Sequence, residues 1–409
     1  MAKEYKDLVV GLDIGTAKVM AVVAEVLPNG ELKLAGLGIA ASNGLKRGVV
    51  VNIDATVQSI QQALKEAELM ADCKITRVYT GITGSHIRGM NSSGMVAIKD
   101  REVTAADVAR VVETAKAINI STDQRLLLVE PQEFIIDGQD VREPIGMSGI
   151  RLEAKVHIVT GAQSAAENII KCVRRCGLEV EQLMLNPLAS SLSVLTEDER
   201  ELGVALVDIG AGTTDIAIFT NGAIRHTAVI PIAGDLITSD IAMALRTPTK
   251  DAEDIKVENG YAKQLLADPD TQVEVPGLGD RAPRMLSRQA LAGVIEPRVE
   301  EIFQLVHQVL RDSGFEEMLS SGIVLTGGSC IMPGMVELGE DIFLKPVRRG
   351  IPKYAGALSD MVAQPRAATV MGLLEEARTA RMRGFKVAQK NGSMKTAFGQ
   401  VKDWFVGNF

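Results

Sequence analysis

The feature that most constrains how this chain can fold is a repeated pattern of strand, tight turn and strand. Residues 8–14 read as a strand that ends in Asp13–Ile14–Gly15, followed by Thr16–Ala17–Lys18 and a second strand over 19–26. In the other half of the chain, residues 204–209 end in Asp208–Ile209–Gly210. Ala211–Gly212–Thr213–Thr214–Asp215 and a strand over 216–219 follow. Each copy predicts a third strand, over 32–37 after Pro28–Asn29–Gly30 and over 223–229 after Asn221–Gly222. Turn chemistry between apolar runs is the signature of β-hairpins. A repeat of this kind in 409 residues, too many for one core, predicts two similar lobes. Each would hold a hairpin sheet extended by βα units, giving an α/β fold with duplicated mixed sheets.

The bulk numbers narrow the function. Aromatic residues are 3% against 46% hydrophobic, so the core must be largely aliphatic, as in sheets covered by helices. A net charge of −8 argues against a surface that coats nucleic acid, and no nucleic-acid partner is expected. The spacing of Cys73, Cys172, Cys176 and Cys330 fits no common zinc motif, and the thiols suit a reducing compartment. Residues 1–7 are charged and run straight into a strand, without the apolar stretch of a signal peptide. No run approaches the ~18 apolar residues of a spanning helix, so any membrane contact is expected to be peripheral.

Helices are predicted over 55–70 with Asp54 as N-cap, over 165–176 ending at Gly177, and over 291–310, where Pro297 should kink the helix or mark a boundary. Residues 83–160 break the two-lobe symmetry. They hold a strand over 94–99, a helix over 105–118 and strands over 126–129, 133–136 and 156–160, an α+β subdomain inserted in the first lobe. The expected organisation is therefore a first lobe over 1–82 and 161–196, the insert over 83–160, and a second lobe with its own small subdomain over 197–376. A flexible basic linker over 377–392 and a terminal helix over 393–409 would follow.

The two Asp-x-Gly turns carry the chemistry. Glycine lets the backbone approach a ligand, and successive turn N–H groups cradle phosphate oxygens. Gly15, Gly210 and Gly212 supply that backbone, Thr16, Thr213 and Thr214 supply hydroxyls, and Lys18 supplies a charge for phosphate. Asp13 and Asp208 are placed to hold Mg²⁺, directly or through its waters. One such turn is commonplace in any hairpin; two in matching contexts would clamp a triphosphate from both sides. A third element, Ile323–Val324–Leu325–Thr326–Gly327–Gly328, is a buried strand running into paired glycines. A nucleoside could lie against Gly327 and Gly328, although close helix–strand packing produces the same pattern.

These three elements, in this order, resemble the actin, Hsp70 and sugar-kinase superfamily. The resemblance implies a two-lobed actin-like (ribonuclease H-like) fold that binds ATP with Mg²⁺. Its two connecting helices resemble Asn186–Pro187–Leu188–Ala189–Ser190–Ser191 and Ala367–Ala368–Thr369–Val370–Met371–Gly372–Leu373. Ala252–Glu253–Asp254–Ile255–Lys256 resembles the bacterial-actin segment that meets adenine and ribose, which makes Glu253 and Lys256 candidate contacts. Within the superfamily the chain is similar to the FtsA family over essentially its full length. That similarity implies a cell-division role, self-association into filaments and other division proteins bound through the insert. It also implies binding of the C-terminal peptide of the tubulin-like FtsZ, with Arg284, Arg288 and Arg298 at the matching basic positions.

One position departs from the superfamily. Hsp70-type members hold a glutamate just before the proline of the first connecting helix, where this chain has Asn186. Asparagine cannot act as a general base, so slow turnover at most is expected, with Asp208 as the candidate for orienting water. The last segment has its own pattern. Met394, Ala397, Phe398, Val401, Trp404 and Phe405 fall on one helical face, behind Arg378, Arg381, Arg383, Lys386 and Lys390. An aromatic face with basic neighbours suits a helix lying in an anionic membrane interface, with Met394, Phe398, Val401, Trp404 and Phe405 inserted. This places the chain peripherally on the cytoplasmic side of the inner membrane, at the septum. The alternatives fit less well. A sugar or acetate kinase needs a catalytic carboxylate and a sugar pocket that are not identifiable, an Hsp70 needs a further domain, and the related pilus protein PilM is not expected to end in such a tail.

Overall fold

The structure, a computed structural model, describes residues 7–279 and 281–390. The first lobe begins with β1 (Leu8–Ile14), β2 (Lys18–Val26) and β3 (Leu32–Ala41), a small ribbon of β4 (Leu45–Lys46) and β5 (Val49–Val50), then α1 (Ile53–Ala71) and β6 (Arg77–Ile82). The insert contributes β7 (Arg88–Ala97), α2 (Ala105–Lys116), β8 (Gln124–Ile136), β9 (Gln139–Val141) and β10 (Arg151–Ala162). The chain returns to the first lobe with α3 (Gln163–Arg175) and β11 (Glu179–Leu185), and crosses over through α4 (Asn186–Val194) and α5 (Glu197–Leu202). The second lobe comprises β12 (Val204–Ile209), β13 (Thr214–Thr220), β14 (Ala223–Ile230), α6 (Gly234–Leu245), α7 (Thr249–Asn259), β15 (Gln272–Val275), β16 (Arg284–Ser287), α8 (Arg288–Asp312), β17 (Ile323–Thr326), α9 (Met335–Phe343), β18 (Val347–Arg349) and α10 (Ser359–Val362). Finally α11 (Ala368–Lys390) crosses back.

The duplication is literal. The first sheet runs β11-β6-β1-β2-β3 and the second β18-β17-β12-β13-β14, the same order element for element. In both, the hairpin strands are antiparallel and the two added strands parallel. Burial on both faces explains the continuous aliphatic runs: every residue of β12 and β13 is buried. The helices α4 and α11 cross between the lobes, touching where Gly372 meets Ala189. A Cβ at Gly372 would stand 1.7 Å from the Ala189 carbonyl oxygen, so only glycine permits that approach.

Several local expectations change. The first helix is capped by the Asn52 side chain, which accepts from the Ala55 N–H, not by Asp54. The strands predicted over 126–129 and 133–136 are one strand, β8. Pro131 lies opposite Val156 where the register shifts, and that irregularity accommodates its missing N–H. Ser287 caps α8 three residues earlier than predicted, and Pro297 lies inside the helix instead of ending it. The basic stretch expected to be a flexible linker from residue 377 is instead the continuation of α11 to Lys390. Its composition is rich in strong helix formers, and Arg381 pairs with both Asp7 and Glu181 of the first lobe. The expected membrane residues Met394, Phe398, Val401, Trp404 and Phe405 lie outside the described residues. Among the described residues no helix is long and apolar enough to cross a membrane.

The insert is a four-stranded antiparallel sheet, β7-β10-β8-β9, with α2 on one face. It leaves the first lobe after β6 and leans on edge strand β14 of the second. Buried Arg225 pairs with Glu133 at 2.6 Å, Gln132 donates to the Ile224 carbonyl at 2.8 Å, and buried His157 bonds the Thr227 hydroxyl at 3.0 Å. Burial, with His226 nearby, holds the His157 imidazole down at about 4, so it is neutral at this contact.

Candidate functional site: a cleft between the duplicated turns

The two hairpin turns adopt one geometry. Gly15 N–H donates to the Lys18 carbonyl and Gly210 N–H to the Thr213 carbonyl, each at 2.9 Å. They face each other across the interlobe cleft. A Cβ on Gly212 would come within 2.6 Å of the Thr16 hydroxyl and 2.9 Å of Arg47 Cα. Thr16 in turn accepts from Gly48 N–H at 3.1 Å, so the β4–β5 ribbon closes one end of the paired turns. The third glycine element stands behind them. Gly327 has φ +87°, and a Cβ there would collide with the Asp208 carboxylate at 2.4 Å.

These walls enclose a cavity of about 530 Å³. Of the residues the sequence nominated for nucleotide, Gly15, Thr16, Lys18, Gly210, Gly212, Thr213, Glu253, Lys256, Gly327 and Gly328 line it, as do Asp13 and Asp208. Thr214 does not belong: it is fully buried and its hydroxyl donates to the Ile232 carbonyl at 2.8 Å, away from the cavity. Strand alternation explains the correction, because consecutive residues Thr213 and Thr214 face opposite ways. At the nucleoside end Lys256 is held by Glu253 at 2.6 Å and by the Thr238 hydroxyl at 2.8 Å, which sets the two side chains as one unit.

The electrostatics favour a cation and an anion arriving together. Asp208 accepts from the Ser190 hydroxyl of α4 at 2.6 Å and from Thr369 of α11 at 3.4 Å, so both connecting helices converge on one carboxylate. Burial raises its pKa to about 6, with Asp13 adding to the effect. Asp215, paired in register with Asp208, is raised to about 7 by burial and by Asp208. Burial also raises Asp13. The Lys18 ammonium, which donates to the Arg366 carbonyl, is pushed down by burial while Asp13 draws it back up.

Buried carboxylates short of positive charge are a fitting donor set for Mg²⁺. Among the described residues no three His, Cys, Asp or Glu side chains assemble into a ready cage. An ion would therefore take most of its ligands from water and phosphate, the usual habit of Mg²⁺. The Asn186 side-chain oxygen, at the head of α4, lines the same cavity and has no hydrogen-bond partner. It is an acceptor ready for a water or a solvated ion.

Four contributors escaped the sequence reading: Asp215, Thr83, Ser190 and Thr369. Thr83, at the root of the insert, donates to Asp215 from across the cleft. Asp215 was findable, since it is opposite Asp208 in the hairpin register; Thr83 carries no local signal. The three arginines assigned to a partner peptide separate. Arg284 donates to the Leu245 carbonyl and Arg298 is clamped by Asp240, both against α6. Arg288 instead lines the cleft.

Duplicated sheets, paired turns and crossing helices define the class: a two-lobed protein of the actin-like fold. Solved structures agree. A PilM–PilN type IV pilus biogenesis complex matches with TM-score 0.65 at 18% identity, covering 90% of this chain and 98% of that one. MreB 5 of Spiroplasma citri bound to AMPPNP matches with TM-score 0.58 at 16% identity, covering 94% and 99%. The family model described as cell division protein FtsA matches residues 205–372, and that of the SHS2 domain inserted in FtsA matches residues 84–160. The cell division protein FtsA of Pseudomonas aeruginosa is 55% identical, with 98% of each chain covered; that of Escherichia coli K12 is 47% identical over 99% of each. The chain belongs to the FtsA family of cell division proteins.

Proposed function

We propose that this chain binds ATP with Mg²⁺ in the interlobe cleft, self-assembles, and tethers the tubulin-like FtsZ to the inner face of the cytoplasmic membrane at the division site. The paired glycine turns, facing each other over buried Asp13, Asp208 and Asp215, carry the nucleotide part of the reading. A triphosphate would take turn N–H groups from both lobes, with Lys18 as its charge partner, while Asp13 and Asp208 hold the ion directly or through water. With Asn186 in place of a carboxylate, hydrolysis is slow at most, with Asp208 the candidate for orienting water, and the protein acts as a scaffold. Arg284 and Arg298, both set against α6, remain the candidates for the FtsZ peptide. The insert offers a surface for other division proteins, and residues 393–409 supply a peripheral anchor for anionic lipid. One such helix binds weakly, so assembly and membrane attachment would reinforce each other through avidity.

The test is co-sedimentation of the full chain, and of a chain ending at Gly392, with phosphatidylglycerol vesicles and the FtsZ C-terminal peptide, with and without Mg-ATP. Pelleting of the full chain alone, strengthened by Mg-ATP and carrying the peptide down, is the expected result. Equal behaviour of the two chains would remove the membrane anchor, and indifference to nucleotide would remove the ATP-linked assembly.

A further inference from the structure

A second and larger recess lies on the other side of the connecting helices. It holds about 1300 Å³ between the insert strand β8, the first-lobe elements β11 and α4, the β13–β14 turn and α11. Its walls are largely apolar and only partly covered: Leu127 and Leu128 of β8, Leu183 of β11, and Leu188 and Leu192 of α4 are all half-buried. On α11, Glu376, Ala380, Arg383 and Gly384 line it. Their spacing of four, three and one is a single helical face, so α11 forms one wall of the groove and carries the chain out along it.

The continuation of that chain has the length and character to return. Asn391–Gly392 is a turn pair directly after α11. A helix over 393–409 would be about 25 Å long, and α11 from Glu376 to Lys390 about 21 Å, so the two match as an antiparallel pair. The apolar face of 393–409 holds Phe398, Trp404 and Phe405, and the half-buried leucines would cover it. The groove also holds Glu130 beside Glu376, two carboxylates close enough that Glu376 adds to the burial that raises Glu130. Lys395 and Lys402, one heptad apart at the border of the apolar face, are spaced to meet such a pair.

We propose that residues 393–409 dock back into this groove against α11 when no membrane is present, so that groove and membrane compete for the same amphipathic segment. The proposal rests on reading that segment as an amphipathic helix that binds membrane. It makes the tail a controlled anchor: a docked fraction ten times the free one would weaken apparent membrane affinity about tenfold. Anything that widens or fills the groove would then release the tail.

Trp404 is the only tryptophan in the chain, so its fluorescence reports the tail directly. The experiment measures emission and acrylamide quenching of the full chain without lipid over a wide range of protein concentration. It is repeated on Ala380→Glu and Leu192→Gln, with melting curves to confirm that both fold. Phosphatidylglycerol vesicles are then titrated into all three. Docking predicts a blue-shifted, protected Trp404 at every concentration, and an exposed one in both variants with vesicle affinity raised about tenfold. A fully exposed Trp404 in the native chain overturns the proposal. So does protection that appears only at high concentration, which would place the tail on a second copy. Folded variants that leave Trp404 protected place the tail elsewhere and overturn it too. If Trp404 is protected and released as expected but no vesicles bind, docking stands and the membrane reading falls.

Discussion

Replacing Gly372 with alanine tests the crossing of α4 and α11, on which the cleft depends. The added methyl would sit 1.7 Å from the Ala189 carbonyl oxygen, where ordinary contact begins near 3.4 Å. The helices must therefore part by more than an ångström. One turn away, Ser190 and Thr369 share a hydrogen bond at 3.0 Å, and both reach Asp208. The Thr369 contact, already 3.4 Å, would be lost first. Overpacking of a tight core contact costs about 1–3 kcal/mol, and the lost bond to a buried carboxylate adds ~1 kcal/mol. For lobes of this size the sum corresponds to a fall in melting temperature of roughly 4–12 °C. Binding of a fluorescent ATP analogue should weaken as well, because Asp208 is displaced. Gly384→Ala on the same helix is the control: nothing lies within 4 Å of its Cβ, and helix propensity should stabilise it by ~0.5–1 kcal/mol. If Gly372→Ala melts with the native protein and binds nucleotide equally, the crossing does not position the site as argued.

Further consequences can be measured. Asp13→Asn with Asp208→Asn should remove the Mg²⁺-dependent part of ATP affinity, at least tenfold or ~1.4 kcal/mol, so that adding EDTA no longer changes binding; a persisting EDTA effect would place the ion elsewhere. Asp215 is raised to about 7 in the fold against 3.8 for a free carboxyl, so the folded state binds the extra proton between those values. Ligand-free stability should accordingly fall as pH rises from ~5 to ~8, and less steeply in Asp215→Asn; parallel slopes would contradict this. Glu133→Gln leaves Arg225, buried on the insert contact, without its charge partner. It should destabilise by about 1–3 kcal/mol, with faster amide exchange in β14 than elsewhere; uniform exchange would mean the contact is idle.

The repeat was legible because it is written in local chemistry. Asp13–Ile14–Gly15 and Asp208–Ile209–Gly210 announce their turns, and aliphatic strands announce burial on both faces. Most of the cleft followed, since its glycines and carboxylates sit within those motifs. What escaped depends on contacts distant in sequence. Thr83 reaches Asp215 across 132 positions, and nothing near Thr83 signals it. Arg288 looked like its neighbours Arg284 and Arg298 until α8 turned it towards the cleft. The stretch after residue 376 was misread because basic composition says nothing of Asp7 and Glu181, the partners that Arg381 finds in the folded first lobe.

The contact of the insert with β14 has a consequence for timing. The lobes are joined by two helices on one side, and on the other by a domain that belongs to the first lobe yet holds the second. For the cleft to gape and let a spent nucleotide leave, either Arg225, Gln132 and His157 release their partners together or the insert swings with the second lobe. Exchange would then proceed no faster than that coordinated step, and a protein bound to the insert could lengthen or shorten the residence of the nucleotide without touching it.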